Sequence, residues 1–326
     1  MYSPLVSGIT RFFSGPDVAV DLGTANTRLF SAGVGRVVDV PTKVKFPHRK
    51  KLSDADSPHL TPLSGGVIEN VPAATFLLKK LLKRTCRFGF SRPRVIVCAP
   101  SDISRRERAV LLEAVRQAGA SVAAVVPEPL AAAIGAGLDV SSPYAQMLVD
   151  IGDGVTDIAV IRAGNLIQTA AIRTAGSDLH RAVQKMTAKR YGVELSIKDA
   201  EMLTRKLGSV YQNTLPDALV ICGDGGQKTP ITVKSLDVCE AIRPVFAVIV
   251  ETISRTVREM SPEACAEVIE TGVCLTGGVA EMPGLVELIA ERTNLPVQLA
   301  PRPMYSVIDG ASRMLETSAR THFWRS

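Results

Sequence analysis

An internal echo constrains this chain more than any other feature. Residues 18–27 read VAVDLGTANT, and residues 147–156 read MLVDIGDGVT. Each is a short apolar strand ending in aspartate, with a glycine two places on and a threonine four further. Asp21, Gly23 and Thr27 thus stand against Asp150, Gly152 and Thr156. A repeat at a spacing of 129 residues points to two related halves, each opening with a strand and a hairpin turn. The 326 residues amount to about two domains, and an apolar content of 46% is enough to fill two cores.

Beyond each turn, strand-like residues continue at 28–30 and 158–162. Ala32-Gly33 and Ala163-Gly164 then supply similar turns, and further strands fall at 37–40 and 166–171. This is a meander, unlike the βαβ opening of a dinucleotide-binding domain. Helical periodicity is expected over 72–84, 104–118, 176–191, 197–207, 235–259 and 281–292, with Ser104 and Glu107 at capping-box spacing. Strand-like pieces fall at 94–99, 217–222, 229–233 and 273–275, so the class is α/β. The stretch 43–62 carries three prolines and no apolar period, and reads as an exposed connection.

Paired Asp-x-Gly hairpins have a physical use. Short Gly/Thr turns offer backbone N–H groups and hydroxyls to phosphate oxygens, while two carboxylates can hold a hydrated Mg²⁺. A third turn, Leu275-Thr276-Gly277-Gly278, follows an apolar strand and lets a flat ligand or a ribose-phosphate approach the backbone. Other chemistries have less support. Six cysteines without a CxxC pair read as reduced thiols, and four histidines without ligand spacing argue against a zinc site or a histidine-based triad.

The three motifs in this order resemble the actin, sugar kinase and seventy-kilodalton chaperone ATPase superfamily. More closely, the chain resembles the MreB/Mbl group of bacterial actins. The resemblance is carried by VDLGTANT (20–27), RVIVCAPSDISRRER (94–108), EPLAAAIGAGL (128–138), VDIGDGVTDIAVI (149–161), LGSVY (207–211) and LTGGVAEMPGL (275–285). It implies an actin-like ATPase fold, two related ribonuclease H-like domains flanking a nucleotide cleft. The expected division is domain I at 17–138 plus 301–326 and domain II at 139–300, with the subdomain at 43–62 reduced.

Matched position by position, the resemblance implies ATP or ADP with Mg²⁺. The first phosphate turn would be Asp21, Gly23, Thr24, Ala25 and Asn26. The second would be Asp150, Gly152, Asp153, Gly154 and Thr156, with Asp21 and Asp150 near the metal and holding it through water. Gly277 and Gly278 would meet the adenosine. Glu201 matches a base- or ribose-contacting glutamate; the usual lysine three places later is Thr204, and Arg205 is a substitute cation. Glu128 matches the residue that positions or activates the attacking water, with Thr156 beside it in the catalytic set. Val155 stands where the family commonly has a hydroxyl, so hydrolysis is expected to be slow.

The N-terminus adds a membrane expectation. Leu5, Val6, Ile9, Phe12 and Phe13 fall on one face of a short helix ended by Ser14-Gly15-Pro16, so residues 1–16 form an amphipathic anchor for an anionic membrane. So short an anchor holds one monomer weakly, and polymerisation would multiply it into avidity. The net charge of +6 concentrates in 43–51, with five Lys/Arg and no acid, and in 79–94, with seven and no acid. These patches suit a membrane or filament face better than nucleic acid. The expected protein is a slow ATPase forming homopolymeric filaments, cytoplasmic and peripheral at the inner face of the cell membrane, working with cell-shape or cell-wall machinery. A nucleotide-bound scaffold, a small-molecule kinase of the same fold and a DNA-segregating actin are the alternatives.

Overall fold

The computed structural model describes residues 17–45, 60–85, 92–211, 218–222 and 230–318. The anchor residues Leu5, Val6, Ile9, Phe12 and Phe13 lie outside them, as does most of 43–62. The chain divides into two compact units, one running to Leu138 and resuming at Tyr305, the other Asp139–Met304.

The first unit is built on strands β1 (Asp17–Leu22), β2 (Asn26–Ser31), β3 (Arg36–Pro41), β6 (Arg94–Ala99) and β7 (Val122–Pro127), in the order β3-β2-β1-β6-β7. The first three form an antiparallel meander; β6 and β7 join parallel to β1. Strand periodicity explains why β1 is buried on both faces. Val18, Val20 and Leu22 pack toward helices α1 (Val71–Leu82) and α2 (Arg105–Gln117), whereas Ala19 faces the core shared by α3 (Glu128–Ala136) and α9 (Ser306–Ser318). Helix α2 begins where its sequence signal lies: Glu107 N–H donates to Ser104 Oγ at 3.2 Å, and the Glu107 carboxylate accepts from Ser104 N–H at 2.9 Å.

The second unit repeats the plan. Strands β8 (Gln146–Ile151), β9 (Thr156–Arg162), β10 (Asn165–Ile172), β13 (Val273–Thr276) and β14 (Val297–Leu299) stand in the order β10-β9-β8-β13-β14. Again three antiparallel strands are followed by two parallel ones. The sequence echo is therefore a topological repeat, with β1 matching β8. Helices α4 (Gly176–Tyr191), α5 (Ile197–Leu207) and α6 (Ser235–Arg258) supply Leu179, Leu203, Ile242 and Phe246 to the core under β8. Strands β11 (Ala218–Cys222) and β12 (Pro230–Lys234) pair antiparallel just before α6. Helix α7 (Pro262–Thr271), capped by Ser261, escaped the sequence reading, as did β7 and β14.

Three boundaries differ from expectation. Helix α8 (Leu285–Thr293) starts later than residue 281 because Gly284 takes a left-handed conformation, φ 83°, which ends the preceding turn. The second unit keeps Pro303, whose carbonyl accepts from Gly277 N–H and from the Thr276 hydroxyl, so the chain returns to the first unit at Tyr305, beyond the expected residue 301. The ends of 43–62 are not a bare connection: Val44 is buried and exchanges backbone hydrogen bonds of 2.9 Å with Leu60. Just beyond, β4 (Leu63–Ser64) and β5 (Val67–Ile68) form a small hairpin.

Helices α3 and α9 meet at paired glycines. A Cβ on Gly135 would overlap the Ser306 carbonyl, and one on Gly310 would overlap the Ala131 carbonyl. Gly310→Ala is expected to destabilise the first unit by about 1–3 kcal/mol through overpacking, read as a lowered urea midpoint. An unchanged midpoint would show that the two helices can separate without loss.

Candidate functional site

Each unit carries a candidate hairpin turn at the end of a buried central strand. In the first unit Leu22 pairs with Thr27 across the turn. Gly23 is required there, since a Cβ would stand 2.8 Å from the Asn26 carbonyl. Thr42, just past β3, ties the turn down: its hydroxyl donates to Gly23 O at 2.7 Å and lies 2.8 Å from Thr27 Oγ1, while its N–H donates to Ala25 O. Thr24 Oγ1 accepts from Gly66 N–H at 3.1 Å, joining the turn to the β4–β5 hairpin.

Asp21 is buried, and strand pairing sets a cation beside it. Arg28 on β2 is in register with Asp21 on β1 and with Asp39 on β3. Its guanidinium donates to Asp21 Oδ2 at 3.3 Å and to Asp39 Oδ2 at 3.1 Å, and lies 5.0 Å from the centre of the Tyr305 ring. Asn26 completes the group by donating to Asp39 Oδ1 at 2.7 Å. Burial raises the Asp21 proton affinity above the ordinary carboxylate value, and Arg28 works against that rise. Glu128, buried at the first position of α3, lies in the same neighbourhood: the Cys98 thiol is pushed well up by burial, then by Asp21 and by Glu128. The first unit therefore gathers Asp21, Glu128, the 23–26 turn and Arg28. The sequence marked Arg28 only as a strand residue, yet its place opposite Asp21 follows from the hairpin.

In the second unit Ile151 pairs with Thr156, and Gly152 N–H donates to Val155 O at 3.0 Å. Helix α4 is anchored on this turn, with Gly176 N–H donating to Gly152 O and Ser177 N–H to Asp153 O. Thr276 is in register with Asp150, which carries the third glycine turn across the end of β8. Gly277, at φ 93°, leaves no room for a Cβ against Asp150 and the Ile151 carbonyl. Gly278 is exposed, so packing demands the first glycine of the pair, and the second offers open backbone. Cys274 beside them is pushed up to about 11 by burial and by Asp150.

Some expected residues are placed differently from their assigned roles. The Thr156 hydroxyl is buried and donates to Thr174 O at 2.8 Å, just past β10, as Thr27 meets Thr42 just past β3. The echoed threonines thus clamp each meander to its own turn. Val155 is buried. On α5, Glu201 and Arg205 form a half-exposed pair at 3.2 Å, whereas Thr204 faces inward. Arg205 therefore does not occupy the direction of the residue it was expected to replace. Thr204 Oγ1 instead lies 3.3 Å from His180 Nδ1, and His180 Nε2 lies 3.7 Å from Asp153 Oδ1. His180 has no metal-ligand spacing in sequence; its only signal was a place on the second turn of the helix that follows the hairpins.

Two sheets of one topology, each carrying an Asp-x-Gly hairpin at the end of its central strand, define an actin-like α/β protein. Comparisons agree. The family model for MreB/Mbl protein matches residues 15–322. The cell shape-determining protein Mbl of Bacillus subtilis is 32% identical over 318 residues, covering 92% of this chain and 96% of the relative. MreB5 of Spiroplasma citri bound to ADP has a TM-score of 0.85 at 25% identity, covering 94% of this chain and 97% of that one. A MamK double helical filament has a TM-score of 0.79 at 20% identity, with 92% and 99% covered. This chain belongs to the MreB/Mbl family.

The ladder makes a direct prediction. Arg28→Leu strands a buried carboxylate, and is expected to cost about 3 kcal/mol at pH 7, measured by denaturant unfolding. Adding Asp21→Asn should return most of that loss. No recovery would mean that Arg28 acts through Asp39 and Tyr305 instead.

Proposed function

We propose that this chain is an ATP-binding, actin-like cytoskeletal protein that polymerises on the inner face of the cell membrane and takes part in cell-shape determination. The observation that carries the reading is the doubled hairpin, with a buried aspartate at each central strand end, in a chain that matches the MreB/Mbl family over 15–322. A related structure bound to ADP and one of a filament support the nucleotide and the polymer.

The residues fit a nucleotide and a magnesium ion. Gly23 and Gly277 give the backbone close approaches that a side chain would block, and Gly278 leaves exposed backbone for the adenosine. Thr24, Ala25 and Asn26 would hold phosphate in the first unit, and the turn backbone at Gly152, Asp153 and Gly154 would do so in the second, with the Asp153 carboxylate beside His180. Asp21 and Asp150 would each hold Mg²⁺ through water, since Mg²⁺ keeps much of its own hydration. When bound, the ion neutralises phosphate charge. Arg28 keeps Asp21 suited to that task by favouring its ionised form. Glu128, a buried carboxylate at a helix start, would orient the attacking water or accept its proton. Thr156 holds the second turn in shape through Thr174, and Glu201 and Arg205 offer polar groups on α5.

Slow turnover follows from Val155, a buried apolar side chain in the turn. It also favours a second reading, a nucleotide-bound scaffold with little hydrolysis. Phosphate release separates the two. Glu128→Ala is expected to lower release by about a hundredfold or more with ATP still bound, within the usual range for losing an acid–base group. Release unaffected by the substitution supports the scaffold.

Sedimentation and electron microscopy with ATP, ADP and a non-hydrolysable analogue test the polymer. Nucleotide-dependent filaments are expected, and their absence under every condition would overturn the reading. Deleting residues 1–14 is expected to abolish co-sedimentation with anionic liposomes in ATP. Undiminished binding would refute the anchor.

A further inference from the structure

His180 touches two parts of the candidate site at once. On the second turn of α4, its Nε2 lies 3.7 Å from Asp153 Oδ1 in the β8–β9 turn, and its Nδ1 lies 3.3 Å from Thr204 Oγ1 on α5. Thr204 is buried, and its hydroxyl donates to Ala200 O at 2.8 Å. With the hydroxyl donating there, its oxygen accepts from His180 in the tautomer that carries the proton on Nδ1. In the neutral ring this tautomer turns the Nε2 lone pair toward the Asp153 carboxylate, setting one acceptor against another. One added proton converts the opposition into a charge-assisted contact while keeping the bond to Thr204.

The other charged groups around the ring are Glu201 and Arg205 on α5 and the adjoining Arg181. Burial lowers the His180 proton affinity below the ordinary histidine value; Glu201 opposes this, and Arg205 and Arg181 add to it. Burial thus favours the neutral ring, and negative charge arriving nearby favours its protonated form. A polyphosphate on the 152–154 turn would bring such charge. Asp153 is the one acidic side chain in Gly152–Thr156, and its negative charge opposes an anionic ligand on that turn.

We propose that His180 is a positioning residue linking the phosphate-side turn to the α5 face, and that nucleotide binding is coupled to proton uptake by its ring. This rests on the nucleotide reading above. Because coupling is reciprocal, a ligand that favours the protonated ring must bind more tightly where the ring is already protonated.

The test is the affinity for MgADP between pH 8 and pH 6 in the full chain and in His180→Gln and Asp153→Asn variants. Titration of the nucleotide itself is common to all three and cancels in the comparison. Between pH 8 and pH 6 the unsubstituted chain is expected to gain about fivefold in affinity over His180→Gln, and Asp153→Asn should flatten the profile likewise. Equal pH profiles in all three would overturn the proposal and leave nucleotide binding intact. Failure of the unsubstituted chain to bind MgADP at any pH would refute the nucleotide reading itself, and the coupling with it. Should His180→Gln fail to fold, the histidine ring resonances of the unsubstituted chain decide. His180 is expected to titrate at higher pH with MgADP than without, and an unmoved titration contradicts the coupling.

Discussion

A carboxylate buried at the end of a central strand is costly, and both units are organised around that cost. Asp21 and Asp150 each close a strand whose other residues are almost wholly apolar and buried. In the first unit the antiparallel neighbour answers with Arg28, in register with Asp21 and held by Asp39 and Tyr305. In the second the parallel neighbour answers differently: Thr276 is in register with Asp150, and Gly277 lets the backbone close over the carboxylate. The antiparallel position that Arg28 fills in the first unit is held in the second by the buried Asp157, so no cation stands opposite Asp150 in that register and the glycine turn comes from the parallel side. Retaining a buried acid in both halves is easiest to understand where both serve a charged ligand.

The hairpins that carry these acids depend on the strands beyond them. Thr27 and Thr156 sit at matching positions, and each reaches the segment just past the third strand of its own meander. The turns are therefore held by side-chain hydrogen bonds from the segments just past each meander. Preorganised turns of this kind suit phosphate binding because their N–H groups need not be ordered when the ligand arrives.

Much of this was legible in the sequence because it lies in local patterns. The two Asp-x-Gly runs foretold both meanders, and Ser104 and Glu107 foretold the start of α2. What stayed hidden depends on pairing between distant segments. Arg28 looks like any strand residue until the hairpin sets it opposite Asp21. His180 has no suggestive neighbours in sequence and gains meaning only when α4 lies between the Asp153 turn and Thr204. The threonines were read as hydroxyls for phosphate, but a buried hydroxyl follows the nearest unsatisfied carbonyl, and for Thr156 that is Thr174. Short strands such as β14 form by pairing beside β13, a tertiary effect that propensity does not carry.

The central proposal is that the echoed hairpins bind nucleotide. Calorimetric titration of the chain with a non-hydrolysable ATP analogue and Mg²⁺ tests it most directly, repeated with Asp21→Ala and with Asp150→Ala. The account predicts one nucleotide per chain and a large loss of affinity from either substitution alone. Two independent nucleotides per chain, or binding indifferent to one of the two aspartates, would contradict it.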